Sequence, residues 1–231
     1  MKSKPLIVIL GATASGKTKL AVQLAYMLNA EVISADSRQV YRGMDIGTGK
    51  DLKEYTFRET AIPYHLIDIA EAGCKYHVNN FLNDFHTVYG DLNKRGTTAI
   101  LCGGTGMYIN SLLQNYQYTA IPINESLRLQ LEDKSKDNLT EILSTYPAQH
   151  TKHADTSTLK RLIRAIEISE YLSHHEMNVN TRPDVRAIVI GLSDDIQLRK
   201  EKIPCDLWSS RVSSWRHRPR SLQTPRRQRC R

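Results

Sequence analysis

With 231 residues, 40% hydrophobic, 24% charged and 7% aromatic, the chain has the composition of a globular protein with a substantial core, which excludes disordered, collagen-like and membrane-embedded classes. Its formal charge of +8 is unevenly placed: residues 1–202 carry 24 Lys and Arg against 23 Asp and Glu, whereas 203–231 carry eight Arg, no Lys and the single Asp206. The longest apolar runs resemble Leu6–Leu10 in length, too short for a membrane span or a secretory signal, so a cytoplasmic protein is expected. Cys74, Cys102, Cys205 and Cys230 lack CxxC spacing, which argues against a disulfide framework or a zinc site and predicts free thiols.

In chain order, Leu6–Leu10 reads as a buried strand, followed by a helix with Leu20, Leu24, Met27 and Leu28 on one face. Val32–Ala35 reads as a second strand. Phe81, Phe85, Val88 and Leu92 recur at helical spacing, and Gly96 is a stop before a strand at Thr98–Cys102. This alternation predicts a parallel sheet with helices packed on its faces. From 120 to 180 the pattern is helical, with Leu127/Leu131, Leu139/Leu143 and Leu159/Leu162/Ile163/Ile166, and predicts an inserted helical subdomain. Val185–Leu192 reads as a buried strand returning to the sheet, and another helix is expected from Asp194. Residues 203–231 contain both tryptophans and no helical periodicity, and read as a disordered basic arm or a non-native tail, the latter favoured.

Gly11-Ala12-Thr13-Ala14-Ser15-Gly16-Lys17-Thr18 satisfies G-x-x-x-x-G-K-[ST] between a strand and a helix. Its glycines let backbone N–H groups converge on phosphate oxygens, Lys17 adds positive charge, and the Thr18 hydroxyl can ligate Mg²⁺. Asp36 follows the second strand and Gly103-Gly104-Thr105 follows the Thr98–Cys102 strand, so both are expected at the carboxyl edge of the sheet beside the loop. There Asp36 would be a metal partner or a base. Lys160, Arg161 and Arg164 fall on one helical face, either to hold polynucleotide phosphates or as solvated charge. His174-His175 is expected at the surface, His65 in or near the core, and Gly47-Thr48-Gly49-Lys50 as a turn or a second phosphate loop.

The segments GATASGKT at 11–18, ISADSRQVYRGMDIGTGK at 33–50, YHLIDI at 64–69, CGGTGMYI at 102–109 and LKRLIRAIEI at 159–168 together resemble the tRNA dimethylallyltransferase family over residues 4–202. The resemblance implies an α/β, P-loop NTPase-like parallel sheet flanked by helices. Its α/β core would be 1–119, a helical tRNA-binding insert 120–180, and a return to the core 181–202. It further implies transfer of a dimethylallyl group from dimethylallyl diphosphate to N6 of the adenosine 3′ to the anticodon, in tRNAs reading codons that begin with U. Gly11–Thr18 would hold the diphosphate, with Lys17 and Mg²⁺ on Thr18 stabilising its departure, and Asp36 would take the proton. By the same matching, Asp36, Ser37, Arg38, Gln39, Thr105, Arg128, Lys160, Arg161, Leu162, Ile163 and Arg164 would contact tRNA, and a monomer is expected. The sequence leaves the family pattern after Lys202, so this chain's own competence is an open expectation. A phosphate-loop kinase, an isopentenyltransferase using free AMP or ATP, and an inactive diphosphate-binding remnant are the alternatives.

Overall fold

The computed structural model describes residues 4–114, 117–152, 154–175 and 185–192. The expected helix from Asp194 and the tail 203–231 lie outside these residues. Contacts divide the chain into two compact units, Met1–Gln114 with Asp184–Arg231, and Asn115–Pro183.

The first unit is built on a parallel five-stranded sheet of order β5-β2-β6-β1-β7. Its strands are β1 (Leu6–Leu10), β2 (Ala30–Ser34), β5 (Tyr64–His65), β6 (Thr98–Gly103) and β7 (Ala187–Gly191), while β3 (Thr56–Phe57) and β4 (Thr60–Ala61) form a separate antiparallel pair. Because β1, β2 and β6 are covered on both faces, they read as near-continuous apolar runs. Neighbouring side chains therefore enter opposite layers. Val8, Ile33 and Leu101 pack with Phe81, Phe85 and Leu92 of α2 (Val78–Lys94) and Tyr108 of α3 (Gly106–Leu113). Ile9, Val32 and Ile100 pack with Ala21, Val22 and Ala25 of α1 (Lys17–Leu28).

Two sequence expectations are corrected here. The buried stripe of α1 is Ala21, Val22 and Ala25, with Leu20 and Leu24 at its margin, while Met27 is 76% exposed and Leu28 is exposed. Small side chains let the helix approach the sheet closely, and periodicity weighted towards large residues points to the wrong face. β7 pairs with β1 as expected, but at the edge of the sheet its Ile188 and Val189 are exposed among the described residues. Cys102 is a buried free thiol, whereas Cys74 is disulfide-bonded, contrary to the expectation for that residue.

The second unit contains α4 (Glu125–Leu131), α5 (Lys136–Ser144), α6 (Ala148–Thr151) and α7 (Leu159–His174) around Leu131, Leu139, Leu143, Leu162, Ala165 and Ile166. The side chains of Asn124, Ser135 and Thr158 cap α4, α5 and α7 by accepting from Leu127, Asn138 and Arg161 N–H groups. Leu159, expected on the apolar stripe, is exposed one turn before the core begins. Among the described residues no helix is long and apolar enough to cross a membrane.

Candidate active site at the phosphate loop

Residues 11–16 join β1 to α1, and Gly16 caps the helix at φ +89°, with no side chain hydrogen-bonded to the helix start. That leaves backbone donors and the positive end of the helix facing the loop. A Cβ on Gly11 would stand 3.1 Å from both Leu192 Cβ and Ser15 Oγ, so the loop closes tightly there. Ser15 N–H donates to the Ala12 carbonyl at 3.3 Å, and Lys17 Nζ donates to the same carbonyl at 2.5 Å. Ser15 Oγ is buried with no hydrogen-bond partner among the described residues.

The neighbouring edge is stitched to β6. A Cβ on Gly103 would fall 2.2 Å from the Ala35 carbonyl oxygen, so only glycine permits this approach of the two chain segments. Ala35 N–H donates to the Cys102 carbonyl at 2.8 Å and Thr105 N–H to the Ala35 carbonyl at 3.1 Å. Ser37 N–H donates to Thr105 Oγ1 at 2.9 Å, and the Thr105 hydroxyl donates to Ser37 Oγ at 3.2 Å. Asp36 therefore projects from a fixed turn, its Oδ1 accepting from Arg38 N–H at 2.9 Å and its Oδ2 on the side of Gly104. Arg38 is exposed, and the Gln39 amide accepts from Ser34 Oγ at 3.2 Å and donates to the Gly49 carbonyl at 3.1 Å.

Three charged groups act on the Cys102 thiol at the end of β6. Burial pushes it up to about 12, Lys17 pulls it down, and Glu54 and Asp36 push it further up. The phosphate-loop lysine and the two carboxylates thus share one electrostatic neighbourhood. Glu54 lies on the 3-10 turn Leu52–Tyr55, exposed, with Tyr55 after it buried. Burial and Asp51 raise its carboxyl above the usual range against the opposing pull of Thr18 and Lys19. No sequence signal marks Glu54, because LKEY reads as surface. Lys50 is directed inward, where it donates to the Tyr41 carbonyl at 2.8 Å and pairs with Asp45 and Asp68, so the GTGK turn does not present its lysine to an anion. His65 pairs with Glu31 at 2.6 Å.

The remaining expected tRNA contacts lie in the second unit. Glu167, 3% exposed, accepts from Arg128 Nε at 2.7 Å and Nη2 at 2.8 Å, from Arg164 Nη1 at 3.1 Å and from Asn124 N–H at 3.0 Å. Arg164 also donates to the Tyr118, Ile121 and Pro122 carbonyls. Arg161 is exposed and pairs with Asp155 at 2.9 Å, and Lys160 is exposed. Lys160, Arg161 and Arg164 therefore do not make one equivalent cationic face. Leu162 is fully buried and Ile163 half-buried in the helical core.

The parallel sheet, its glycine-rich loop opening a helix, and a carboxylate at the adjacent strand end define a P-loop NTPase-like fold with a candidate site at the carboxyl edge of the sheet. The profile of the IPP transferase family matches residues 39–204, and the chain belongs to that family. It is 50% identical over 203 residues to tRNA dimethylallyltransferase 2 of Bacteroides fragilis, covering 88% of this chain and 66% of that protein. It is 51% identical to tRNA dimethylallyltransferase 1 of Parabacteroides distasonis with the same coverage, so the chain spans just under two thirds of these relatives' length. Among solved structures, the tRNA isopentenylpyrophosphate transferase of Bacillus halodurans aligns with a TM-score of 0.56 and 32% identity over 91% of this chain and 66% of that one.

Proposed function

We propose that the chain transfers a dimethylallyl group from dimethylallyl diphosphate to N6 of the adenosine 3′ to the anticodon in tRNAs reading codons that begin with U. The observation that carries this reading is a glycine-rich loop after β1 and Asp36 after β2 at the same carboxyl edge of the parallel sheet, with the Asp36 turn locked to Thr105. Relatives named tRNA dimethylallyltransferase support the substrate pair.

In this mechanism the loop N–H groups and Lys17 hold the diphosphate. The allylic C–O bond breaks with its electron pair leaving on the diphosphate, and the N6 lone pair forms the new C–N bond. Lys17 and the loop donors are aimed at charge that grows as the bond breaks, which is where electrostatic stabilisation is most effective. With Oδ1 engaged by Arg38 N–H, Asp36 Oδ2 accepts the N6 proton and later releases it to solvent. Flipping the adenosine out of its stack brings N6 within reach. The residues fit Mg²⁺: the loop carries a buried hydroxyl oxygen without a hydrogen-bond partner among the described residues, Ser15 Oγ, and the Thr18 hydroxyl stands at the start of α1, both hard oxygen donors, so Thr18 would hold the ion. When bound, Mg²⁺ supplies positive charge against the leaving group. A cytoplasmic monomer completes the proposal.

Labelled dimethylallyl diphosphate and intact tRNA test it. The expected result is label on the adenosine 3′ to the anticodon, lost when that base is guanosine. Label on free AMP, or phosphoryl transfer from ATP in place of prenyl transfer, would overturn it.

A further inference from the structure

Lys50 and Asp68 take no part in the mechanism above, yet they hold the stretch of chain that carries Asp36. The Lys50 side chain is 1% exposed, and the three N–H donors of its ammonium meet three acceptors: the Tyr41 carbonyl at 2.8 Å, Asp45 Oδ1 at 3.0 Å and Asp68 Oδ1. Burial opposes its charge, but the hydrogen bonds to Asp68 and Asp45 outweigh burial and hold the ammonium above its ordinary range. Asp68 grips the same stretch with backbone and side chain together. Its N–H donates to the Gln39 carbonyl at 3.1 Å, its carbonyl accepts from Arg42 Nε at 2.7 Å, and its carboxylate takes Lys50. Leu66 and Asp68 both adopt left-handed backbone, at φ +62° and +57°, which L side chains keep only where their surroundings hold them.

These contacts converge on Gln39, which closes the turn that bears Asp36. The Gln39 carbonyl is held by Asp68 N–H, and its side-chain amide donates to the Gly49 carbonyl at 3.1 Å, next to Lys50, and accepts from Ser34 Oγ at 3.2 Å. Ile69 and Ala70 N–H both donate to the Val40 carbonyl at 2.9 Å. The turn is thus fixed from two sides: Thr105 holds Ser37, and the Lys50–Asp68 pair holds Gln39 to Arg42. A general base must stand within hydrogen-bond reach of the proton it takes, so an ångström of displacement in its turn is felt chiefly in rate. The Gly11–Thr18 loop belongs to other elements, β1 and α1, and Ser15 N–H and Lys17 close it internally on the Ala12 carbonyl. We propose that the Lys50–Asp68 pair is a positioning clamp for Asp36, setting its carboxylate against the acceptor amine without touching either substrate. This inference rests on the reading of Asp36 as the proton acceptor.

Single-turnover prenyl transfer to tRNA and hydrogen exchange of the 36–42 segment, both on the full chain, test it in Lys50→Met and Asp68→Asn. Methionine nearly keeps the side chain's length and removes its three donors, leaving the Tyr41 carbonyl and the Asp68 carboxylate without them. Asparagine keeps an oxygen acceptor and both backbone links and removes the charge. Lys50→Met is expected to slow transfer by ~10–10²-fold, the scale of a misplaced reacting group, with dimethylallyl diphosphate affinity unchanged and exchange of 36–42 faster. Asp68→Asn should show the same split with a smaller loss, and it decides the question alone if methionine prevents folding. In an Asp36→Asn background Lys50→Met should cost little further rate, because the clamp acts through Asp36. A loss that adds in full to that of Asp36→Asn, an equal fall in dimethylallyl diphosphate affinity, or wild-type rate and exchange in both variants would overturn the clamp and leave the proposed function standing. Failure of wild type to transfer label to tRNA would overturn the proposed function and, with it, the clamp's part in the reaction.

Discussion

Lys17 and Asp36 are both charged and both follow strands at the carboxyl edge of the sheet, yet their removal should have different consequences. Lys17 belongs to the loop and, in the proposed mechanism, acts on charge that develops on the leaving group. Lys17→Ala is expected to slow prenyl transfer by ~10²–10³, the usual cost of losing one such donor, with a parallel loss of diphosphate affinity. Near-normal single-turnover rates would remove the diphosphate from the loop. Asp36 stands on a turn set by Thr105 and the Ala35 carbonyl, independent of any ligand. Asp36→Asn keeps that geometry and its acceptor for Arg38 N–H, so dimethylallyl diphosphate should bind as before while transfer falls by about 10²–10⁴, the range for losing a general base. Equal losses in binding and rate would make Asp36 a binding group instead.

At the scale of elements, the arginines of α4 and α7 divide into those that build the helical unit and those available to a partner. Glu167 is buried, which raises its carboxyl, but Arg128, Arg164 and the Asn124 N–H outweigh burial and hold it below the ordinary 4.5. A depressed folded-state value stabilises the fold fully above about pH 4.5, and that contribution disappears as pH falls through the folded value. Glu167→Ala should cost about 2–3 kcal/mol at pH 7, below the range for a fully buried pair because both arginines reach solvent. Melting curves should show a steady gap to wild type from pH 7 down to about pH 4.5 and a gap that closes as the pH falls further, and a gap that stays constant in that acid range would contradict the network. Lys160 and Arg161, both exposed, are the cations of α7 best placed to face a polyanion. Lys160→Ala with Arg161→Ala should flatten the salt dependence of tRNA binding by about 0.7–0.9 for each phosphate no longer neutralised, without lowering the melting temperature. An unchanged slope would return that surface to ordinary solvation.

The same elements show what the sequence makes legible. The loop, Asp36 and the Gly103 edge are readable because continuous apolar runs announce buried parallel strands, and whatever follows such strands gathers at one edge. The Arg164–Glu167 pairing at i,i+3 is open to inference, since Glu167 sits directly after Ile166 on the buried side of α7. Read as a charged face, the motif conceals that Arg164 is largely consumed by carbonyls of its own unit. The place of the Leu52–Tyr55 turn is not legible at all: it depends on Tyr55 packing against α1, a tertiary fact with no periodic trace.

For the whole molecule, charge separates along the chain more sharply than structure does. Residues 1–202 are nearly neutral, so the proposed binding of tRNA by this part of the chain requires local cationic groups such as Lys160 and Arg161. Residues 203–231 hold eight arginines against one aspartate, with Trp208 and Trp215 among them, and that composition favours sequence-independent binding to phosphates and bases. The two contributions can be separated by salt. Replacing the eight arginines with serine should leave the preference for tRNA over unstructured RNA intact or improved, while the salt slope for an oligo-uridine falls by about 0.7 for each arginine that had neutralised a phosphate. Fluorescence anisotropy across a salt series reads both quantities on the same preparation. An unchanged oligo-uridine slope would place the non-specific attraction within residues 1–202, and would require cationic surface there that the near balance of 24 Lys and Arg against 23 Asp and Glu does not suggest.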